Sequence, residues 1–192
     1  MAETRLARAL DLIDAANAKD PTLEPDGTPH ALAYGRRMSA WLDRLTPDAS
    51  DALRIAVRAQ HLERWRVPRD DFPSDRAGYF KWRTRLARMH AERAGAIAAE
   101  TGYDPATVGR VQALIRKEGL RTDPETQALE DAACLVFLET ELADFARRHD
   151  EAKLVDILRK TWRKMSARGR EAARDLDLPA PAKALVAKAL AP

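Results

Sequence analysis

YFKWRTRLARMHAERAGAIAAET, residues 79–101, decides the fold of this chain. Trp82, Leu86, His90, Ala94 and Ile97 recur every three or four residues, the spacing that gathers side chains on one face of an α-helix. Charged residues fill the positions between them, as on a helix with one wet side. Nearly every other segment repeats this period, and the strict alternation of a half-buried strand is almost absent. The chain is therefore read as all-α.

Downstream, Gly102 stands where a helix C-terminus favours glycine. Asp104-Pro105 reads as an N-cap followed by a first-turn proline, opening a helix to about Glu118. Asp123-Pro124 repeats the signal and opens the longest helix, to about Arg148. Another runs from about Asp150 to Ser166, with Leu154, Ile157, Leu158, Thr161, Trp162 and Met165 on its apolar face.

Upstream, Leu6, Leu10 and Ile13 mark a first helix ending near Lys19, and a polar loop leads to Pro29. A second helix spans about Ala31 to Leu45. A third, about Asp48 to Arg66, aligns Leu53, Ala56, Val57, His61 and Trp65. A loop from Val67 to Gly78 follows. After Gly169 the chain is Ala-rich and is interrupted by Pro179 and Pro181. The pattern predicts one helical domain over residues 1–175, of about seven helices, and an Ala/Pro-rich tail over 176–192.

Composition sets the class. Of 192 residues, 45% are hydrophobic and 33% charged, the balance of a chain that can bury a core rather than stay disordered. The 33 basic and 30 acidic residues leave a net charge of only +3, which permits an anionic partner without demanding nucleic acid. One cysteine, Cys134, excludes an intrachain disulfide framework and fits a reducing compartment. The first residues lack the apolar stretch of a secretory signal and no run has the length of a membrane span, so a cytoplasmic protein without a membrane partner is expected. No phosphate-binding glycine loop, CxxC or HExxH motif occurs.

Three titratable residues fall on stripes that should face inward: His61, His90 and Asp131, the last heading the series Leu135, Leu138, Leu142, Phe145. A carboxylate there loses hydration worth several kcal/mol unless donors or a cation replace it. Imidazoles and a carboxylate from separate helices can assemble a metal or acid–base site. Such residues also occur as hydrogen-bonded parts of a core or as helix caps. The loop between the histidines and its flanks carry Arg64, Arg69, Arg76 and Arg83, and arginine suits bidentate capture of phosphate. Trp65, Tyr79 and Trp82 could stack on a base, or belong to the core. Asp70, Asp71 and Asp75 could pair with the arginines instead. Lys117 and Lys160 could reach the rim of such a site. Lys164-Met165-Ser166 is similar to the lysine-containing loop of class I tRNA synthetases. That loop works beside a nucleotide-binding α/β domain, which this chain lacks, and the tripeptide is read as a helix end.

The runs His61-Leu62-Glu63-Arg64-Trp65, Pro68-Arg69, Arg76-Ala77-Gly78-Tyr79, Trp82-Arg83 and His90-Ala91 resemble the family called domain of unknown function 4202. So do residues 129–139 and 160–166, and the resemblance covers roughly Leu6 to Ala173. A more distant likeness is to the HD phosphohydrolases, all-α enzymes that act on phosphoesters through a metal held by histidines and aspartates. That likeness implies an HD-like helical domain. Tyr34, with Arg37-Met38, stands where those enzymes have their first histidine, and His61-Leu62 stands at the His-Asp doublet. His90 matches a later histidine, and Asp131, or less well Glu130, matches the terminal aspartate. Two of the four ligand positions therefore differ, so that Glu63, Glu92 or Glu130 would have to complete the site, or the pocket would serve as a binding module.

The resulting expectation is a protein that acts on or binds a phosphate-containing ligand, a nucleotide in the first instance, and a metal-dependent phosphohydrolase if catalytic. His61, His90 and Asp131 would form its centre. They would hold a divalent metal (Mn, Fe, Zn or Mg), with Glu130 as an alternative ligand, or act as general acid and base. Arg64, Trp65, Arg69, Arg76, Tyr79, Trp82, Arg83, Lys117 and Lys160 would contact the ligand. The alternative is a non-catalytic RNA-binding protein, tRNA-associated for instance, that uses the basic loop and the cluster from Arg159 to Arg170 on the backbone.

Overall fold

The computed structural model describes residues 4–190. Among them the chain forms ten α-helices: α1 (Arg5–Asn17), α2 (His30–Leu45), α3 (Asp51–Arg58), α4 (Arg76–Glu100), α5 (Pro105–Ile115), α6 (Pro124–Val136), α7 (Leu142–Ala146), α8 (Glu151–Lys164), α9 (Ala167–Arg174) and α10 (Ala180–Leu190). The only β pairing among the described residues is an isolated bridge between Leu23 and Pro29, which closes the polar loop before α2. The fold is all-α, as the helical period predicts. No helix of the described residues is long and apolar enough to cross a membrane. The chain divides into two compact units, Met1–Leu129 and Glu130–Pro192, with the boundary inside α6.

In the first unit α3 is the central element, packed against α1, α2, α4 and α5, while α4 and α5 pair along their length. Ile13, Met38, Leu42, Leu53, Val57, Leu62 and Leu114 are each at most 1% exposed and make up its core. Local signals start the helices. Thr4 caps α1, Ser50 caps α3, Asp75 caps α4 and Asp104 caps α5, each accepting from a backbone N–H of the first turn. Gly102 takes a positive φ of 87° just beyond α4, as its position suggests. At Gly95 a methyl group would collide with the Gln112 side chain, which shows how closely α4 and α5 approach.

The third helix is shorter than its stripe predicts, ending at Arg58 rather than about Arg66. Tight turns follow, then a 3₁₀ turn over Arg64–Arg66. The cause lies 46 residues away in sequence. The buried Asn17, at the end of α1, accepts the Glu63 N–H through its Oδ1 at 3.1 Å. Glu63 sits in the left-handed region at φ 55°, which costs a non-glycine residue roughly 1–2 kcal/mol. Its buried carboxylate offsets that cost through ion pairs with Arg66 at 3.0 Å and Arg93 at 2.7 Å. The turn also drives Leu62, 0% exposed, into the core. His61 consequently lies in a turn and Trp65 in the 3₁₀ turn, not on one helical face.

In the second unit α6 passes into a π-helical stretch, Phe137–Glu141, and then α7, where one long helix was expected. Asp150 caps α8 as its sequence position suggests. Residues 167–174 and 180–190, read as a short helix and a tail, form α9 and α10. α10 packs on α7 and α8, with Leu154, Leu158, Ala182 and Ala189 buried. The last two residues of the expected tail lie outside the described residues.

Replacing Asn17 with alanine leaves the buried Glu63 N–H without an acceptor, a loss of about 1–3 kcal/mol. The expected result is a fall in thermal midpoint with retained helical circular dichroism, and a larger fall than for the control Ala18→Ser at the neighbouring exposed position.

Candidate functional site

Two cavities of about 230 Å³ each open in the first unit, and they share His61 and Arg64. The turn after α3 supplies Gln60, His61 and Arg64 to the first of them. α4 supplies Arg83, Thr84 and His90, and the end of α5 supplies Arg116 and Lys117. The charged side chains of this cavity are Arg64, Arg83, Arg116 and Lys117, with no carboxylate among its lining residues. Lys117 is the second non-glycine residue at positive φ, 58°, and it closes α5: its N–H donates to the Leu114 carbonyl and the Glu118 N–H to that of Ala113.

His90 is 2% exposed, and its Nδ1 lies 2.7 Å from the Leu62 carbonyl oxygen. A carbonyl oxygen only accepts, so Nδ1 carries the proton and Nε2 of the neutral ring presents a lone pair. That Nε2 is buried and has no hydrogen-bond partner, and the same holds for Gln60 Oε1. Burial drives the His90 pKa down from 6.5 to about 4, with Arg64 and Arg83 adding to the effect and the Leu62 bond opposing it. His61 is also held well below its usual value, first by burial and then by Arg64, His90, Arg83 and Lys117. Its ring stacks on Tyr34 at 4.0 Å between centroids and lies 6.1 Å from that of His90. Both imidazoles are therefore neutral at pH 7 amid positive charge.

The second cavity continues from His61 and Arg64 to Tyr34, Trp65, Arg69 and Trp82. The Arg64 guanidinium lies over the Trp82 ring at 4.6 Å, and the Trp82 indole N–H donates to the Val67 carbonyl at 2.9 Å. These contacts fix the loop against α4. Arg69 donates to the Phe72 carbonyl and approaches Trp82 at 6.0 Å. At the loop's end Gly78 packs so tightly against the Pro73 carbonyl that no side chain fits there.

The remaining expected residues fall elsewhere. Arg76 is exposed and lies over Phe80 at 5.6 Å, and Tyr79, 42% exposed, contacts Phe80 and Trp82; neither lines the two cavities. Lys160 lies in the second unit and pairs with Asp156 on α8. Asp131 and Glu130 belong to that unit as well. Both Asp131 oxygens accept from Ser166, from its N–H at 2.9 Å and its hydroxyl at 2.5 Å, while Ser166 caps α9. The carboxylate thus sits at a helix N-terminus, where partial positive charge favours it. A Cβ on Gly169 would clash with it. Glu130 faces Lys164 at 3.6 Å. The Lys-Met-Ser run therefore spans the end of α8, a buried Met165 and the cap of α9.

Among the described residues no three His, Cys, Asp or Glu side chains form a group that could hold a metal ion. The donor set of the first unit's cavity is two imidazoles, one of them tied to a carbonyl through Nδ1. It does not match a His/Asp metal centre. Gln60, Tyr34 and Arg116 were not among the residues expected to bind ligand. Gln60 and Tyr34 carry no charge, and nothing in the sequence sets Arg116 apart from the other arginines; the fold puts Tyr34 against His61 and brings Gln60 and Arg116 into the cavity of His61 and His90.

The chain matches the model of the family described as Domain of unknown function (DUF4202) over residues 7–186, and it belongs to that family. No curated protein and no solved structure matches it.

The histidines make stability depend on pH. An unfolded histidine takes up a proton near pH 6.5, whereas folded His90 does so only at about 4. Its stabilising contribution is whole above pH 6.5 and is lost as pH falls to about 4, by about 3 kcal/mol. Urea midpoints at pH 7.5 and 4.5 should therefore lie closer together in His90→Asn than in the unmodified protein. Equal separation in both would show that His90 is not held neutral.

Proposed function

We propose that the first unit binds a phosphorylated small molecule, with a nucleotide as the class that fits. The observation that carries this reading is the first cavity's lining of four cations with no carboxylate among the lining residues, although Arg116 pairs with Glu118 beside it at 2.6 Å. Grouped like charges repel, and an anion of two or more oxygens relieves that repulsion while accepting from several guanidinium N–H groups at once. Holding both histidines neutral keeps the excess charge on groups that bind through fixed donors. The cavity takes a phosphoryl group. The adjoining one, walled by Tyr34, Trp65 and Trp82, has room for the organic part, and the two together fall within the roughly 300–1,000 Å³ of small-molecule sites.

His90 Nε2, an unprotonated acceptor near that phosphoryl position, is the group that would serve as a base if the bound phosphate reacts. The first unit supplies this arrangement by itself. RNA as the partner has less support, because the C-terminal basic cluster is partly engaged: Arg159 donates to the Ala189 carbonyl, Arg170 to that of Trp162, and Lys160 pairs with Asp156.

Binding is measured by calorimetry, or by fluorescence of the two tryptophans on the second cavity, with a nucleoside monophosphate as the probe. Arg83 is exposed and makes no ion pair among the described residues, so Arg83→Glu should leave the fold intact. It should weaken binding at least tenfold, as loss of a charge-assisted bond worth about 1.5–3 kcal/mol requires. Unchanged affinity, or no binding by the unmodified protein at millimolar ligand, overturns the proposal.

A further inference from the structure

We infer that the cationic cavity selects an anion that brings a hydrogen-bond donor of its own, namely a phosphomonoester or inorganic phosphate, over sulfate and over phosphodiesters. This inference rests on the phosphate-binding reading above and adds what kind of phosphate is taken.

A cavity built only to hold negative charge would present only donors. This one presents Arg64, Arg83, Arg116 and Lys117, yet two acceptors stand among them. The His90 lone pair is fixed as an acceptor by geometry, because Nδ1 must donate to the Leu62 carbonyl. Gln60 Oε1 is the second. Both are buried, neither is reached by solvent, and neither has a partner. Unpaired buried acceptors are rare in folded proteins and each costs on the scale of a lost hydrogen bond. They are relieved by a ligand atom that carries a proton.

Tetrahedral oxyanions differ in this respect. A phosphomonoester has a second pKa near 6, so around that pH much of it keeps one P–OH, which can donate to Nε2 while the other oxygens accept from the arginines. Sulfate is fully deprotonated and offers four acceptors and no donor. It would meet His90 Nε2 and Gln60 Oε1 lone pair to lone pair. A phosphodiester has lost the hydroxyl to esterification and fails for the same reason. Recognition that depends on matching buried polar groups discriminates far more strongly than apolar fit, because the mismatched partner leaves them unpaired. Arg83 lines this cavity, is exposed, and no described residue holds it in an ion pair.

Charge alone predicts the opposite order, since sulfate carries more negative charge at pH 6.5 than phosphate does, and the comparison is therefore decisive. The unmodified protein is titrated at pH 6.5 and fixed ionic strength with inorganic phosphate, methyl phosphate, sulfate and dimethyl phosphate. The first two should bind at least tenfold more tightly than the last two. Gln60→Leu, which removes one acceptor and keeps the bulk, should narrow the gap between phosphate and sulfate, and His90→Asn should narrow it further. Equal binding of phosphate and sulfate within threefold overturns the selectivity while leaving anion binding in place. Absence of binding by all four anions overturns both. Because the four-anion comparison uses the unmodified protein, it stands even if a variant fails to fold.

Discussion

The hydrogen bond from His90 Nδ1 to the Leu62 carbonyl connects the packing of the first unit to its chemistry. Leu62 is fully buried, so its backbone is also removed from water and its carbonyl needs a donor. His90, on the facing side of α4, provides it at 2.7 Å. The bond anchors the turn that follows α3 and fixes the tautomer of the histidine. It also sends the ring's lone pair away from Leu62. A buried leucine, a buried turn and a buried imidazole thus satisfy one another, and the cavity between α4 and α5 inherits an acceptor whose identity is not adjustable.

The starts of α5, α6 and α8 were legible because their causes are local. Asp104 and Asp150 cap the helices they precede and Pro124 opens α6, and such a signal needs only the next three residues. Ser50 and Asp75 also cap α3 and α4, but the periodic pattern set those starts at about Asp48 and Tyr79. The end of α3 was illegible for the complementary reason. Nothing between Ala59 and Arg66 is a glycine or proline, and the apolar stripe continues through His61 and Trp65. The break depends on Asn17, whose side chain captures the Glu63 N–H from another helix. The helix α10 was hidden likewise, since tertiary packing rather than local pattern sustains a short Ala-rich helix.

The site shows the same division. His61, His90, Arg64, Arg83 and Lys117 could be picked out by chemical type, and the fold brings all five to one cavity. Gln60 could not, because an amide acquires significance only from what it touches, and Tyr34 is marked only by the HD likeness, as the residue at its first-histidine position. Asp131 illustrates how inward-facing position and role can differ. Its place on an apolar stripe marked it as a carboxylate in need of donors, and in the second unit Ser166 supplies two. Desolvation logic identifies that such a group must be satisfied, but the satisfying partner can be a helix terminus as readily as a metal or a ligand.

The arrangement at Leu62 also bears on how this family can vary. The acceptor that orients His90 is a main-chain oxygen, which every amino acid possesses, so no substitution at that position removes it. Selection on residue 62 acts on volume and apolarity, through the fit of the side chain in the core. Sequence drift among leucine, isoleucine, methionine or valine there would leave the proton on Nδ1 and the lone pair on Nε2. The chemical state of the histidine is thereby insulated from mutation at the residue that enforces it.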